Sequence, residues 1–196
     1  MPVTAPRAQT HPVALLLVDV INDFDFPEAS GLLALAGGAV ERIETLLARG
    51  HAQQVPIIYV NDNFGDWRSD FRSTVARCCD PSRQGAALVR RLAPRLEDYF
   101  VLKPQHSGFY HTPLELLLEK LETEIVILCG FSTNSCITST AMDAHMRGFG
   151  VIVPRDTTAA NSARIRSDAL RALELTVHAN TAESATIDFA SLGRHG

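Results

Sequence analysis

The segment Val13-Ala14-Leu15-Leu16-Leu17-Val18, closed by Asp19, constrains this chain more than any other. It is six apolar residues long, and its apolarity is continuous rather than alternating. A strand with one wet face alternates; a continuous run of strand length belongs to a strand covered on both faces, as in a parallel sheet. Similar runs recur at residues 55–60, 125–129 and 151–153, with a weaker one at 99–102 and a candidate last strand at 185–187.

Helical patterns lie between these runs. Residues 33–49 carry Val40, Ile43, Leu46 and Leu47 at helical spacing, with Gly50 as the expected stop. A shorter helix is expected over 86–92. Thr112-Pro113 reads as N-cap and first helical position of a helix running to 121. Further helices are expected over 136–147, stopped by Gly148, and over 162–178. Strands alternating with helices specify an α/β domain with a mostly parallel sheet. At 196 residues the chain can bury a full core without disulfides or a structural metal. Residues 1–12, with Pro2, Pro6 and Pro12, read as a flexible arm, and residues 13–196 as one domain.

Several function classes are disfavoured at once. Eighteen Lys and Arg against 22 Asp and Glu give a net charge of −4, without the basic surplus of a nucleic-acid binder. The N-terminal apolar run is far shorter than the ~20 residues of a membrane span, and Asp19 with Asn22-Asp23 is unlike a signal peptide. Cys78, Cys79, Cys129 and Cys136 show neither disulfide-framework nor zinc spacing. The expectation is a cytoplasmic protein acting on a small molecule.

In open parallel sheets, ligands sit at the carboxyl ends of the strands. Asp19 follows the first run, Asn61-Asp62-Asn63 the second, Lys103 the third, and Gly130 to Cys136 the fourth. An acid, an ammonium and a thiol therefore converge on one sheet edge. A carboxylate can take a thiol's proton, an ammonium stabilises both anions, and a helix N-terminus favours a thiolate. Cys129, inside its strand, reads as core.

Three segments carry a family resemblance. They are Leu15-Leu16-Leu17-Val18-Asp19-Val20-Ile21-Asn22-Asp23-Phe24, Lys103-Pro104-Gln105-His106-Ser107-Gly108-Phe109, and Gly130-Phe131-Ser132-Thr133-Asn134-Ser135-Cys136-Ile137. In this order they resemble the motifs of the isochorismatase-like cysteine hydrolases, relatives of nicotinamidase and N-carbamoylsarcosine amidohydrolase. The resemblance implies a three-layer α/β/α fold with a six-stranded, mainly parallel, Rossmann-like sheet. It implies Cys136 as nucleophile, Asp19 as general base and Lys103 as charge stabiliser. It also implies a cis peptide at Phe131–Ser132, an oxyanion hole from the Ser132 and Cys136 N–H groups, and a homo-oligomer.

The departures from the family pattern narrow the chemistry. Nicotinamidases carry Asp-x-His after the second strand to help hold a metal, whereas this chain has Asp62-Asn63-Phe64, and no His lies between His51 and His106. Neither a metal nor another cofactor is expected. Isochorismate-cleaving members lack the nucleophilic Cys. The remaining expectation is a metal-independent cysteine hydrolase that cleaves a C–N bond of a small amide or ureide through a thioester on Cys136. The alternatives are a vinyl-ether hydrolase and a non-catalytic small-molecule binder. Phe24, Trp67, His106 and Phe109 are the candidate substrate-binding residues, with Phe64, Tyr110 and His111 nearby in sequence. Trp67 is favoured because its neighbours are polar.

Overall fold

A computed structural model describes residues 10–27, 29–68 and 70–192. Strands β1 (Val13–Val18), β2 (Ile57–Asp62), β3 (Tyr99–Lys103), β4 (Ile125–Phe131), β5 (Gly150–Ile152) and β6 (Thr158–Ala159) form one sheet. Its order is β3-β2-β1-β4-β5, and β6 pairs with β4 beyond the end of β5. Every pairing is parallel. All six residues of β1 are buried, as its unbroken apolarity requires of a central strand.

The alternation of side chains along the strands splits the core in two. One face carries Leu15, Leu17, Ile57 and Tyr59 against helices α1 (Ala29–Ala52), α2 (Phe71–Cys78) and α3 (Ala86–Arg91). The other carries Leu16, Val18, Val60 and Leu128 against α4 (Leu114–Lys120), α5 (Thr138–Met146) and α6 (Ala163–Val177). This is the expected three-layer α/β/α sandwich. Among the described residues, no helix is long and apolar enough to cross a membrane.

Four sequence expectations change. Gly50 does not end α1. It lies inside the helix, where an added Cβ would stand 3.1 Å from Ile57 Cδ1, so its smallness serves close packing on β2. Helix α2 was hidden because only Phe71, Thr74 and Cys78 face the core along a polar stretch. Its start was legible in the capping box of Asp70 and Ser73, each side chain accepting from the other's backbone N–H. The expected strand at 185–187 is instead a 3₁₀ turn, Ser184–Thr186, and the sixth strand is the two-residue β6. Of the expected arm, residues 1–9 lie outside the described residues. His11 and Pro12 are tied down: the His11 N–H donates to the Leu121 carbonyl, and the Pro12 carbonyl accepts from Glu124 and Ile125.

Candidate active site

Asp19, Asp62 and Lys103 stand at the carboxyl ends of adjacent parallel strands. The register pairs Val18 with Val60, and Asp62 with Lys103. Asp19 leaves β1 with φ of 52°, a left-handed conformation uncommon outside Gly and Asn and frequent at functional sites. Its N–H donates to the Val60 carbonyl at 3.0 Å, and its Oδ1 accepts from the Asp62 N–H at 2.7 Å. The turn behind it is held by Asn61, whose Oδ1 accepts from Ile21 N–H and whose Nδ2 donates to the Ile21 carbonyl.

The fully buried Lys103 ammonium gathers the site. Nζ lies 2.9 Å from Asp19 Oδ2, 3.5 Å from Asp62 Oδ2 and 3.4 Å from Cys136 Sγ, and donates to the Gln105 carbonyl at 3.2 Å. Burial pulls this ammonium toward deprotonation, but Asp19, the Cys136 sulfur and Asp62 outweigh it and hold its pKa above the usual lysine range. Burial acts on Asp19 in the opposite sense. It raises the carboxyl above its ordinary value although Lys103 and Cys136 pull it down, so Asp19 is a stronger base than a surface carboxylate.

Cys136 is delivered by the loop after β4. Gly130, at φ of 120°, leaves no room for a side chain: an added Cβ would stand 2.0 Å from the Val18 carbonyl oxygen. The Phe131–Ser132 peptide is cis. A single π-helical turn, Thr133–Ile137, then carries the sulfur and runs directly into α5. The thiol therefore sits inside a helical turn, and its environment corrects the expectation of a lowered pKa. Burial first, and the Asp19 carboxylate second, push the thiol up to about 12, against the pull of Lys103. The resting site holds a thiol, a carboxylate and an ammonium. Moving the thiol proton to Asp19 changes no net charge.

The candidate substrate-binding residues separate. His106 reaches the thiol, with Nδ1 3.8 Å from Cys136 Sγ and 3.2 Å from Ser135 Oγ. Phe24 and Phe109 are core residues, 1% and 5% exposed, and Phe24 also borders a cavity with Phe26 and Gln84. Phe24 packs near Phe26 and Phe131, and Phe109 lies between Phe149 and the Arg147 guanidinium. Trp67 is exposed and lines a cleft of about 230 Å³ with Asn63, Asp66, Leu102, Pro104 and His111, beside the end of β3. Phe64 is covered by the Arg77 guanidinium, 4.5 Å from its ring centroid. Among the described residues, no group of three His, Cys, Asp or Glu side chains is placed to share a metal ion.

Two contributors escaped the sequence reading. Asp62 was placed at the end of the second run and compared with a metal motif but given no role in the site, yet it touches both Asp19 and Lys103. Asp143 accepts a hydrogen bond from Ser107, and Gly108 N–H donates to Thr140 Oγ1 at 3.0 Å. These contacts pin the segment after Lys103 onto α5, and nothing local in the sequence reports them.

A parallel α/β/α sandwich that gathers a carboxylate, an ammonium and a thiol at its strand ends defines a class of proteins. Within it this chain belongs to the isochorismatase family: the family's Isochorismatase domain matches residues 13–186, and the protein is a hydrolase of that family. It is 35% identical to an uncharacterized isochorismatase family protein, YaaI of Bacillus subtilis, over 82% of this chain and 88% of that one. It is 27% identical to the ureidoacrylate amidohydrolase RutB of Methylorubrum extorquens, over 88% and 82% of the two chains. The solved N-carbamoylsarcosine amidase of Thermoplasma acidophilum superposes with a TM-score of 0.68 at 25% identity, covering 90% of this chain and 98% of that one.

Proposed function

We propose that this protein is a metal-independent amidohydrolase that cleaves a C–N bond of a small amide or ureide through a thioester on Cys136. The observation that carries the reading is the contact of Lys103 Nζ with both the Asp19 carboxylate and the Cys136 sulfur. Asp19 takes the thiol proton while Lys103 stays charged beside both anions. The thiolate attacks the carbonyl carbon, and the backbone N–H groups of Ser132 and Cys136 hold the oxyanion. Asp19 then gives its proton to the departing nitrogen, the C–N bond breaks, and water hydrolyses the thioester. The amidohydrolase relatives support C–N cleavage. The residues after Asp62 support metal independence: Asn63 Oδ1 is engaged by the Gly65 N–H, and Phe64 offers no donor atom.

Ammonia release from a panel of primary amides and ureides tests the reading, with intact-mass detection of an acyl adduct. At least one substrate should turn over with Cys136 acylated, and Cys136→Ala should abolish both signals. Turnover that survives Cys136→Ala would sink the thioester route.

Two further assignments belong to this reading. Four free thiols fit a reducing cytoplasm. Homo-oligomerisation follows the family resemblance, and Leu96 and Phe100, exposed beside edge strand β3, offer one apolar surface for it. A monomer in light scattering at micromolar concentration would remove that assignment.

A further inference from the structure

Lys103 has no hydrogen left to offer a substrate. Its three N–H donors face four partners: Asp19 Oδ2 at 2.9 Å, the Gln105 carbonyl at 3.2 Å, Cys136 Sγ at 3.4 Å and Asp62 Oδ2 at 3.5 Å. Asp62 Oδ2 takes the longest of these contacts. Its other oxygen, Oδ1, accepts from the Phe64 N–H at 2.6 Å. The Asp62 side chain is 38% exposed, whereas those of Asp19 and Lys103 are 8% and 0% exposed. Asp62 Oδ2 is therefore the acceptor of this cluster that an incoming molecule can still reach.

The charge balance agrees. Two carboxylates surround one ammonium, so the cluster keeps one uncompensated negative charge, and moving the thiol proton to Asp19 does not change it. Among the described residues, no Arg and no second Lys pairs with either carboxylate. The cleft beside the end of β3 has the same character. It is lined by Asn63 and Pro104, which follow Asp62 and Lys103 in the chain, and by Asp66, Trp67, Leu102 and His111, without a Lys or Arg. Trp67 offers an indole that is 79% exposed. A carboxylate beside an open aromatic face suits an ammonium or a guanidinium, which gains from the ion pair and the ring together. A substrate carboxylate would instead meet like charge and lose water without gaining a donor.

We propose that Asp62 selects the substrate: the amide or ureide cleaved on Cys136 carries a cationic end group, an ammonium or a guanidinium, that pairs with Asp62 and extends toward Trp67. This inference rests on the amidohydrolase reading above and names its substrate class. Asp62 acts here as a specificity residue and moves no proton.

The test uses three amides that differ at the far end: 4-guanidinobutanamide, hexanamide and glutaramate, respectively cationic, neutral and anionic. The guanidinium stays charged throughout the working pH range. Each amide is scored by ammonia release and by its protection of Cys136 from iodoacetamide, which reads occupancy of the site without requiring turnover. The wild type should favour the cationic over the anionic amide about 100-fold, with hexanamide between them. Asp62→Asn keeps the acceptor for the Phe64 N–H and removes the charge. The ratio of the cationic to the anionic amide, from which any general loss of activity cancels, should then fall to within about 10-fold. Trp67→Leu, at an exposed position, should weaken the cationic amide about 3–30-fold and leave glutaramate near its wild-type value. Glutaramate bound by the wild type as well as the cationic amide would overturn the proposal. So would protection by none of the three, or a ratio that Asp62→Asn leaves intact. If Asp62→Asn does not fold, an unchanged cation preference in Trp67→Leu overturns it. The expected order of protection, without ammonia release or acylation of Cys136 by any of the three, would sustain the cationic specificity and count against the thioester reading, so the two fail separately.

Discussion

Lys103 Nζ stands 2.9 Å from Asp19 Oδ2 where β3 and β1 both end, although β2 lies between their strands. The ammonium spans that intervening strand and still comes within 3.4 Å of Cys136 Sγ. One cation thus sets the charge balance for a carboxylate and a thiol that sequence separates by 117 positions, 136 less 19.

Asp19→Asn should separate base strength from thiol acidity. Turnover on a good amide should fall at least about 100-fold, because the proton acceptor is gone. The thiol should meanwhile become more acidic, since the carboxylate is one cause of its elevation and Lys103 remains. The pH midpoint of iodoacetamide alkylation should therefore lie below that of the wild type, in which burial and the Asp19 carboxylate hold the thiol up. The double variant Asp19→Asn/Cys136→Ser should be little worse than Cys136→Ser, as expected for groups acting together. Near-normal kcat/KM in Asp19→Asn, or a midpoint that rises, would leave Asp19 a structural carboxylate.

Lys103→Ala strands two carboxylates around an emptied, buried position. The expected cost is about 3–5 kcal/mol in urea unfolding near neutral pH, together with slower Cys136 alkylation. The sign of the pH dependence follows from Asp19, whose folded pKa is already raised and should rise further without its cation. A raised folded pKa favours the fold below the unfolded value and penalises it as pH climbs through the folded one. The deficit of the variant should thus narrow toward pH 4. A deficit that widens on acidification would show that Asp19 is not the group left unpaired.

Gly130 and Gly108 should differ in what they tolerate. Ala at 130 drives a Cβ to within 2.0 Å of a backbone oxygen on β1, at a φ that L residues avoid. A loss of about 3 kcal/mol or more, or failure to fold, is expected. Ala at 108 meets Val60 Cγ1 at 2.7 Å, a side-chain atom. It should cost clearly less in the same thermal melt, and equal costs would contradict this account of the β1–β4 contact.

Stability should decline above about pH 9, where unfolded thiols ionise. In the folded protein Cys78 is held up to about 11 and Cys129 to about 12, in both cases chiefly by burial. Folded pKa values above unfolded ones mean that stability present below the unfolded pKa is lost as pH rises toward the folded one. Each such thiol contributes a slope of about 1.4 kcal/mol per pH unit in that window. Cys129→Ala should flatten the decline in denaturant midpoint between pH 9 and 11, and an unchanged slope would count against a thiol origin.

Elemental analysis of active protein should find less than stoichiometric zinc, iron or manganese, and a chelator should leave turnover intact. The reason lies in Asn63 and Phe64, which follow Asp62 without supplying an imidazole. One bound transition metal per chain, with activity lost on its removal, would refute metal independence.

The sequence by itself determined the parallel sheet, because a continuous apolar run such as residues 13–18 can be buried only between covered faces. It also placed Asp19, Lys103 and Cys136 at strand ends, since each stands immediately after such a run or its loop. Local patterns stopped there. That α1 runs through Gly50 depends on how closely β2 packs, and that residues 184–186 form a turn depends on Asp156, which accepts from both the N–H and the hydroxyl of Ser184. The burial of Phe24 and Phe109, the service of Asp62, and the approach of His106 to the sulfur are long-range facts of the same kind. The elevated thiol is another, for a helix start predicts a lowered pKa, whereas desolvation and a neighbouring carboxylate exist only once the chain has folded. Periodicity records which faces are dry; only tertiary packing decides which polar groups meet there, and at what distance.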